Sequence, residues 1–175
     1  MSEAVRIVDY DDRWPAAAQA ELGRIKAALG PLAIRCEHVG STAVPGLAAK
    51  PIIDLQLAVV PIERREAFAA PLERLGYLFV PDPDSPDYHF FAKPPEHPRS
   101  HHLHVCRSGS EHEFRHLAVR DFLRAHDDEA ANYGALKRAV AARHADDRVA
   151  YVEGKHAFVA DLEARAVRWA RAGVR

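Results

Sequence analysis

Two short apolar segments carry side chains that can do chemistry. Over residues 52–60 a period of two puts Ile53, Leu55, Leu57 and Val59 on one face of a strand, and Asp54, Gln56 and Ala58 on the other. A carboxylate on so apolar a strand costs free energy unless it is paired, ligated, or set at a sheet end facing a cleft. Capping of the nearby turn is the plainer use for it. In His101-His102-Leu103-His104-Val105-Cys106 the same alternation turns Leu103 and Val105 inward, with His102, His104 and Cys106 opposite. If the two strands are neighbours, Asp54, Gln56, His102 and His104 converge on one surface. Alternate histidines can chelate a metal, and imidazole favours zinc, iron, nickel or copper over magnesium. Two histidines and one carboxylate suffice for an open site. The other reading is a pair of hydrogen-bonded histidines that orient loops. Upstream lies Gly40-Ser41-Thr42. Its glycine allows close backbone approach and its hydroxyls can donate to an anion, or else the turn simply caps structure.

The elements that must position these residues are legible from periodicity and punctuation. Ala18, Leu22, Ile25 and Leu29 follow Asp11-Asp12 and Trp14-Pro15 at helical spacing, until Gly30-Pro31 stops the run. A strand is expected over 34–39, then a turn rich in Gly and Pro, then the strand over 52–60. Phe68, Leu72 and Leu75 mark a helix over 61–75, closed by Gly76. A short strand over 77–80 and a three-proline loop over 81–86 follow. Strands over 88–93 and 102–106 are joined through Pro94-Pro95 and Pro98 as a hairpin. From Glu111 onward there is no proline, and three helices are expected near 111–126, 128–144 and 148–172. The layout is α+β: a mixed sheet with flanking helices and a helical C-terminal third. It reads as one domain over 1–175, with a sheet core to 109 and a helical part from 110.

Composition narrows the function classes. With 175 residues, 48% of them hydrophobic and 28% charged, the chain is neither disordered, collagen-like nor a coiled coil. No apolar run approaches the ~20 residues that span a bilayer. Met1-Ser2-Glu3-Ala4-Val5-Arg6 lacks the basic-then-apolar order of a signal peptide, so a cytoplasmic protein is expected. Lys and Arg number 24 against 25 acids, which gives no strong nucleic-acid signal. Arg165, Arg168, Arg171 and Arg175 read as the solvated face of the last helix. Cys36 and Cys106 have no C-x-x-C spacing and support neither a disulfide framework nor a thiolate zinc cluster.

Taken together, the segment from His38 to Asp54 resembles the signature of the GrpB family, small bacterial proteins of the nucleotidyltransferase superfamily. The resemblance extends through Tyr10-Asp11-Asp12-Arg13-Trp14-Pro15, His102-Leu103-His104-Val105, Gly109-Ser110-Glu111 and Arg120-Asp121-Phe122-Leu123-Arg124. It continues at Tyr133 with Leu136-Lys137-Arg138, and at Tyr151 with Lys155. A related domain occurs fused to dephospho-coenzyme A kinase in some bacteria, which brings a non-catalytic role and a protein partner into view.

The resemblance implies a nucleotidyltransferase-like fold that binds a nucleotide or another phosphorylated small molecule. The activity it implies is transfer of a nucleotidyl group from a nucleoside triphosphate to a small acceptor. The superfamily pattern, a Gly-Ser turn followed by alternate strand carboxylates that hold two Mg²⁺ ions, maps here onto Gly40, Ser41 and Asp54. Gln56 stands where a second acid belongs, and His102 or His104 where a third does. One divalent ion is therefore expected (Mg²⁺, Mn²⁺ or Zn²⁺), on Asp54, His102 and His104, with either histidine as ligand or general base. Ser41 and Thr42 would hold phosphate, supported by Lys50 in the spacer and by Tyr151 and Lys155, four apart on the last helix. Arg120, Asp121 and Arg124 read as ion pairs that hold helix to sheet, and Glu111 as a cap. The alternatives are a catalytically degenerate binding or folding-helper module, favoured by Gln56, and a metal-dependent hydrolase built on the same histidines.

Overall fold

In the computed structural model, which describes residues 4–81, 88–94 and 98–173, α1 spans Trp14–Leu29. Asp11 ties the turn before it, accepting from the Arg13 backbone N–H at 2.9 Å and from its guanidinium at 2.7 Å. The first strand, β1 (Arg35–Val39), lies antiparallel to β2 (Ile53–Val59). After α2 (Arg65–Arg74) come β3 (Leu78–Val80), β4 (Tyr88–Lys93) and β5 (His101–Arg107). The C-terminal part is α3 (Glu111–Ala125), α4 (Asp127–Arg143) and α5 (Arg148–Ala172). The sheet order is β1-β2-β5-β4-β3. Among the described residues only β2 and β5 run parallel, and β4 and β5 form the expected antiparallel hairpin pairing. The architecture is α+β, a mixed five-stranded sheet with flanking helices.

Most expected elements fall within a residue or two of those found. The exception is α2, which starts at Arg65 rather than 61 because residues 62 and 63 are spent in a turn. Beyond Pro81, the expected loop over 81–86 lies outside the described residues, as do 95–97 of the hairpin loop, the first three residues and Arg175. Among the described residues no helix is long and apolar enough to cross a membrane.

The period-two reading of β2 and β5 is what divides the molecule. Leu55, Leu57, Leu103 and Val105 are fully buried under α1 and α2, packed with Leu22, Ile25, Phe68 and Leu72. Each such side chain contributes roughly 1.5–3 kcal/mol. The opposite face carries Asp54, Gln56, His102 and His104, and is covered by α3. Cys36 and Cys106 are both free and buried, and burial pushes their thiols up to about 11 and about 12.

Helix α3 is fastened to that polar face by named polar contacts. Ser110 caps it, accepting from the Glu113 N–H at 3.2 Å, while the Glu113 carboxylate accepts from the Gly109 N–H at 2.6 Å. Glu111 is not the cap; it reaches Arg171 on α5 at 2.8 Å. Arg120 clamps helix to strand. Its guanidinium donates to Glu37 at 2.8 Å, to the His38 carbonyl at 3.1 Å and to Asp121 at 2.8 Å. Arg124 adds a bond to the Ala43 carbonyl at 2.9 Å. Because the Arg120 side chain is only 12% exposed, Arg120→Ala strands a carboxylate and a carbonyl. We expect a loss of about 2–3 kcal/mol, read as a melting point several degrees lower in calorimetry. An unchanged melting point would reduce this clamp to ordinary surface ion pairs.

Candidate functional site

The site forms where the turn after β1 meets the start of β2. Gly40 has φ +68°, and a β-carbon on it would sit 2.7 Å from Asp54 Oδ2 and 2.9 Å from Asp54 Cβ. Glycine is therefore required twice here, by its backbone angle and by the carboxylate lying against it. Ser41 and Thr42 follow in a short 3-10 turn that sends neighbouring hydroxyls in different directions. Ser41 Oγ accepts from Lys137 Nζ at 2.8 Å. Thr42 does not join it. Its hydroxyl is buried and hydrogen-bonded to His38 Nε2 at 2.9 Å, an imidazole that burial pushes down to about 4 and so keeps neutral.

Asp54 is half-buried and receives two histidines from the neighbouring strand. The parallel register pairs Asp54 with His102 and Gln56 with His104, the convergence that alternation predicts. His102 Nδ1 donates to Asp54 Oδ1 at 3.1 Å, and His104 Nε2 lies 3.9 Å from the same oxygen. Burial pushes the carboxyl upward, but the hydrogen bond from His102 and the nearby His104 ring outweigh it and hold it well below the usual carboxylate range. Gln56 is 1% exposed and donates from Nε2 to the Glu113 carbonyl at 3.3 Å, leaving its Oε1 buried without a partner. The side chain in the second acid's position thus helps seat α3. With one strand carboxylate, the residues do not fit a pair of magnesium ions; a single cation with nitrogen ligands suits them better.

Three lysines surround this carboxylate. Lys137 on α4 is 3% exposed, and burial, followed by repulsion from Lys155, pushes its ammonium down to about 7; Asp54 pulls the other way. Lys50 and Lys155 are half-buried, and burial lowers both while Asp54 raises both. Their ammonium groups lie 5.8 and 5.9 Å from the centre of the Tyr151 ring. Tyr151 itself is core, 1% exposed and packed with Val140 and Ala141, and its ring seats the two lysines. Tyr133, whose hydroxyl is felt by Asp54 and Ser41, presents its ring 4.4 Å from Lys137 Nζ.

A second cluster of nitrogen donors adjoins the first. His112 and His116 on α3 lie over His104 of β5, with one potential ligand atom per ring and all three atoms within 4.8 Å of one another. Burial pushes His112 down to about 4 and His116 well below the ordinary imidazole value. Tyr88 stacks on His112 with ring centres 4.2 Å apart, and Phe90 lies 5.3 Å from His104. Sequence reasoning missed Lys137, Tyr133, His112 and His116 as site residues. The His-x-x-x-His and Tyr-x-x-x-Lys spacings, each placing two groups on one helix face, were the available signals.

Comparison with known proteins places the chain. The family model described as GrpB protein matches residues 4–165. A UPF0157 protein of Pseudomonas aeruginosa is 42% identical over 168 residues, covering 94% of this chain and 69% of that one. A dephospho-CoA kinase of Mycolicibacterium paratuberculosis is 34% identical over 190 residues, which cover 95% of this chain and 47% of the kinase. Among solved structures, the conserved protein GrpB from Enterococcus faecalis superposes with a TM-score of 0.86 at 34% identity. That match covers 93% of this chain and 98% of the other.

Proposed function

The chain belongs to the GrpB family, and from that premise we propose that it binds a nucleotide or another phosphorylated small molecule at Ser41, Lys50, Lys137 and Lys155, and transfers a nucleotidyl group to a small acceptor. The observation that carries this reading is Lys137, a buried ammonium 2.8 Å from the Ser41 hydroxyl and within the field of Asp54. A lysine is seldom buried at such electrostatic cost without a partner anion to justify it. Here Asp54 compensates only part of the positive charge contributed by Lys50, Lys137 and Lys155. A polyphosphate supplies the remainder, with the Ser41 hydroxyl and the close Gly40 backbone shaping its seat. Relatedness to half of a chain named dephospho-CoA kinase suits a phosphorylated ligand.

In the transfer, the acceptor oxygen or nitrogen attacks the α-phosphorus, the bond to the bridging oxygen breaks, and pyrophosphate leaves. The lysines and Ser41 neutralise the departing charge. His102, oriented by the 3.1 Å hydrogen bond from its Nδ1 to Asp54, offers its unpartnered Nε2 to take the acceptor's proton. A divalent cation held by His104 would supply Lewis-acid polarisation of a phosphoryl oxygen.

Gln56 favours a second reading, a module that binds the same ligand without turnover, since its amide is committed to the Glu113 carbonyl. A thermal-shift panel of each nucleoside triphosphate, with Mg²⁺, Mn²⁺, Zn²⁺ or EDTA, tests binding. Ligand at ~100 times its dissociation constant stabilises by about 2.7 kcal/mol, a shift of several degrees for a chain of this size. A flat panel from cooperatively folded protein would overturn both readings. Pyrophosphate release then separates transferase from binder.

A further inference from the structure

The histidines of β5 and α3 form a constellation that phosphate binding does not use. His112 and His116 are four residues apart on α3, so both project from one helix face, and that face lies on His104 of β5. The ring of His116 is 4.9 Å from His104 and 4.3 Å from His112, centre to centre. Each of the three rings carries one buried nitrogen with no hydrogen-bond partner: Nδ1 of His104, Nε2 of His112 and Nδ1 of His116. One such orphan is a common imperfection, whereas three on converging rings form an unsatisfied donor set.

We propose that His104, His112 and His116 bind one borderline transition ion of the Zn²⁺ or Fe²⁺ class, with Asp54 behind the His104 ring. Imidazole nitrogen selects such ions over magnesium, and three protein ligands with a fourth position free is the arrangement of catalytic zinc. Metal–nitrogen bonds of about 2.0–2.1 Å put neighbouring ligand atoms roughly 3.4 Å apart in a tetrahedron. Atoms already within 4.8 Å therefore need ring movements of about 1 Å. The walls are suited to holding the rings: Tyr88 stacks on His112, and Phe90 lies against His104. Asp54 Oδ1 lies 3.9 Å from His104 Nε2, the nitrogen turned away from the ion, so it is placed to orient the ring from behind. His102 donates to Asp54 from Nδ1 at 3.1 Å, and although its Nε2 is also unpartnered, it lies outside the three converging ligand atoms and is not a ligand.

This inference deepens the cation component of the function proposed above. Its test uses metal alone, so it can fail while nucleotide binding stands, and the converse. The full chain, stripped with chelator, is titrated with Co²⁺ and then Zn²⁺, following visible absorption and stoichiometry. The wild type is expected to take up one Co²⁺ in a low-symmetry site and release it to Zn²⁺. His112→Gln and His116→Gln each lose at least about 100-fold in affinity, and His102→Gln loses less. Because substitutions at buried rings can disturb folding, imidazole ¹⁵N spectra of the wild type give a second readout, in which Zn²⁺ shifts the nitrogens of His104, His112 and His116 together. Failure of the wild type to bind an ion, or the reverse order of variant losses, would overturn the proposal.

Discussion

Lys137→Met is expected to abolish polyphosphate binding and to raise the melting temperature. Burial pushes the ammonium of Lys137 down to about 7, with Lys155 adding to the effect, against an ordinary value of 10.5. The folded-state value lies below the unfolded one. Between about pH 7 and 10.5 the unfolded chain therefore holds more protons, and stability rises with pH across that window. Below pH 7 the native state carries the full cost of a desolvated charge. Methionine removes that cost and fills similar volume, for a gain of about 1–3 kcal/mol near pH 7. It also removes the donor to Ser41, leaving a hydroxyl that the nearby Tyr133 can still engage. The same titration shapes binding in the wild type. An anion favours protonated Lys137, so affinity holds below pH 7 and falls about tenfold per pH unit above it, until the pKa of the bound state is reached. Calorimetric titration of both proteins across this range checks each part. A variant that binds normally, or melts well below the wild type, would contradict the assignment.

Asp54→Asn is expected to bring pyrophosphate release to background while shifting the melting temperature by no more than a few degrees. The substitution keeps side-chain size against Gly40, where there is no room for more, and retains an acceptor for His102. What it removes is the negative charge that raises Lys50, Lys137 and Lys155. A loss of about 10³-fold in turnover corresponds to roughly 4 kcal/mol of transition-state stabilisation. Turnover equal to the wild type would remove Asp54 from the chemistry.

The sheet face of the site was legible because strands have a period of two. Asp54 and Gln56 had to share a face, as did His102 and His104, and the parallel pairing of β2 with β5 set them side by side. The Gly40-Ser41 turn was legible for a similar local reason. The contributions from the helices were not. Lys137 and Ser41 are 96 positions apart, and nothing local in α4 distinguishes a lysine that ends buried from one that ends in solvent. His112 and His116 announce a shared helix face, yet only docking of α3 shows that His104 lies beneath it. Thr42 and Tyr151 have surroundings that the local pattern did not foresee. A hydroxyl next to Ser41 was turned away by the 3-10 geometry, and a tyrosine four residues from Lys155 was drawn into the core by Val140 and Ala141.

The central claim is that Ser41 and Lys137 form the heart of an anion seat. Calorimetric titration of the wild-type chain with inorganic triphosphate, in EDTA at about pH 6, tests it without reference to base, metal or acceptor. At that pH Lys137 carries its charge in the free protein. The expected result is saturable binding of one triphosphate per chain, weakening as pH is raised through 7. Folded protein that gives no saturable heat, or binding indifferent to pH over that range, would contradict the account.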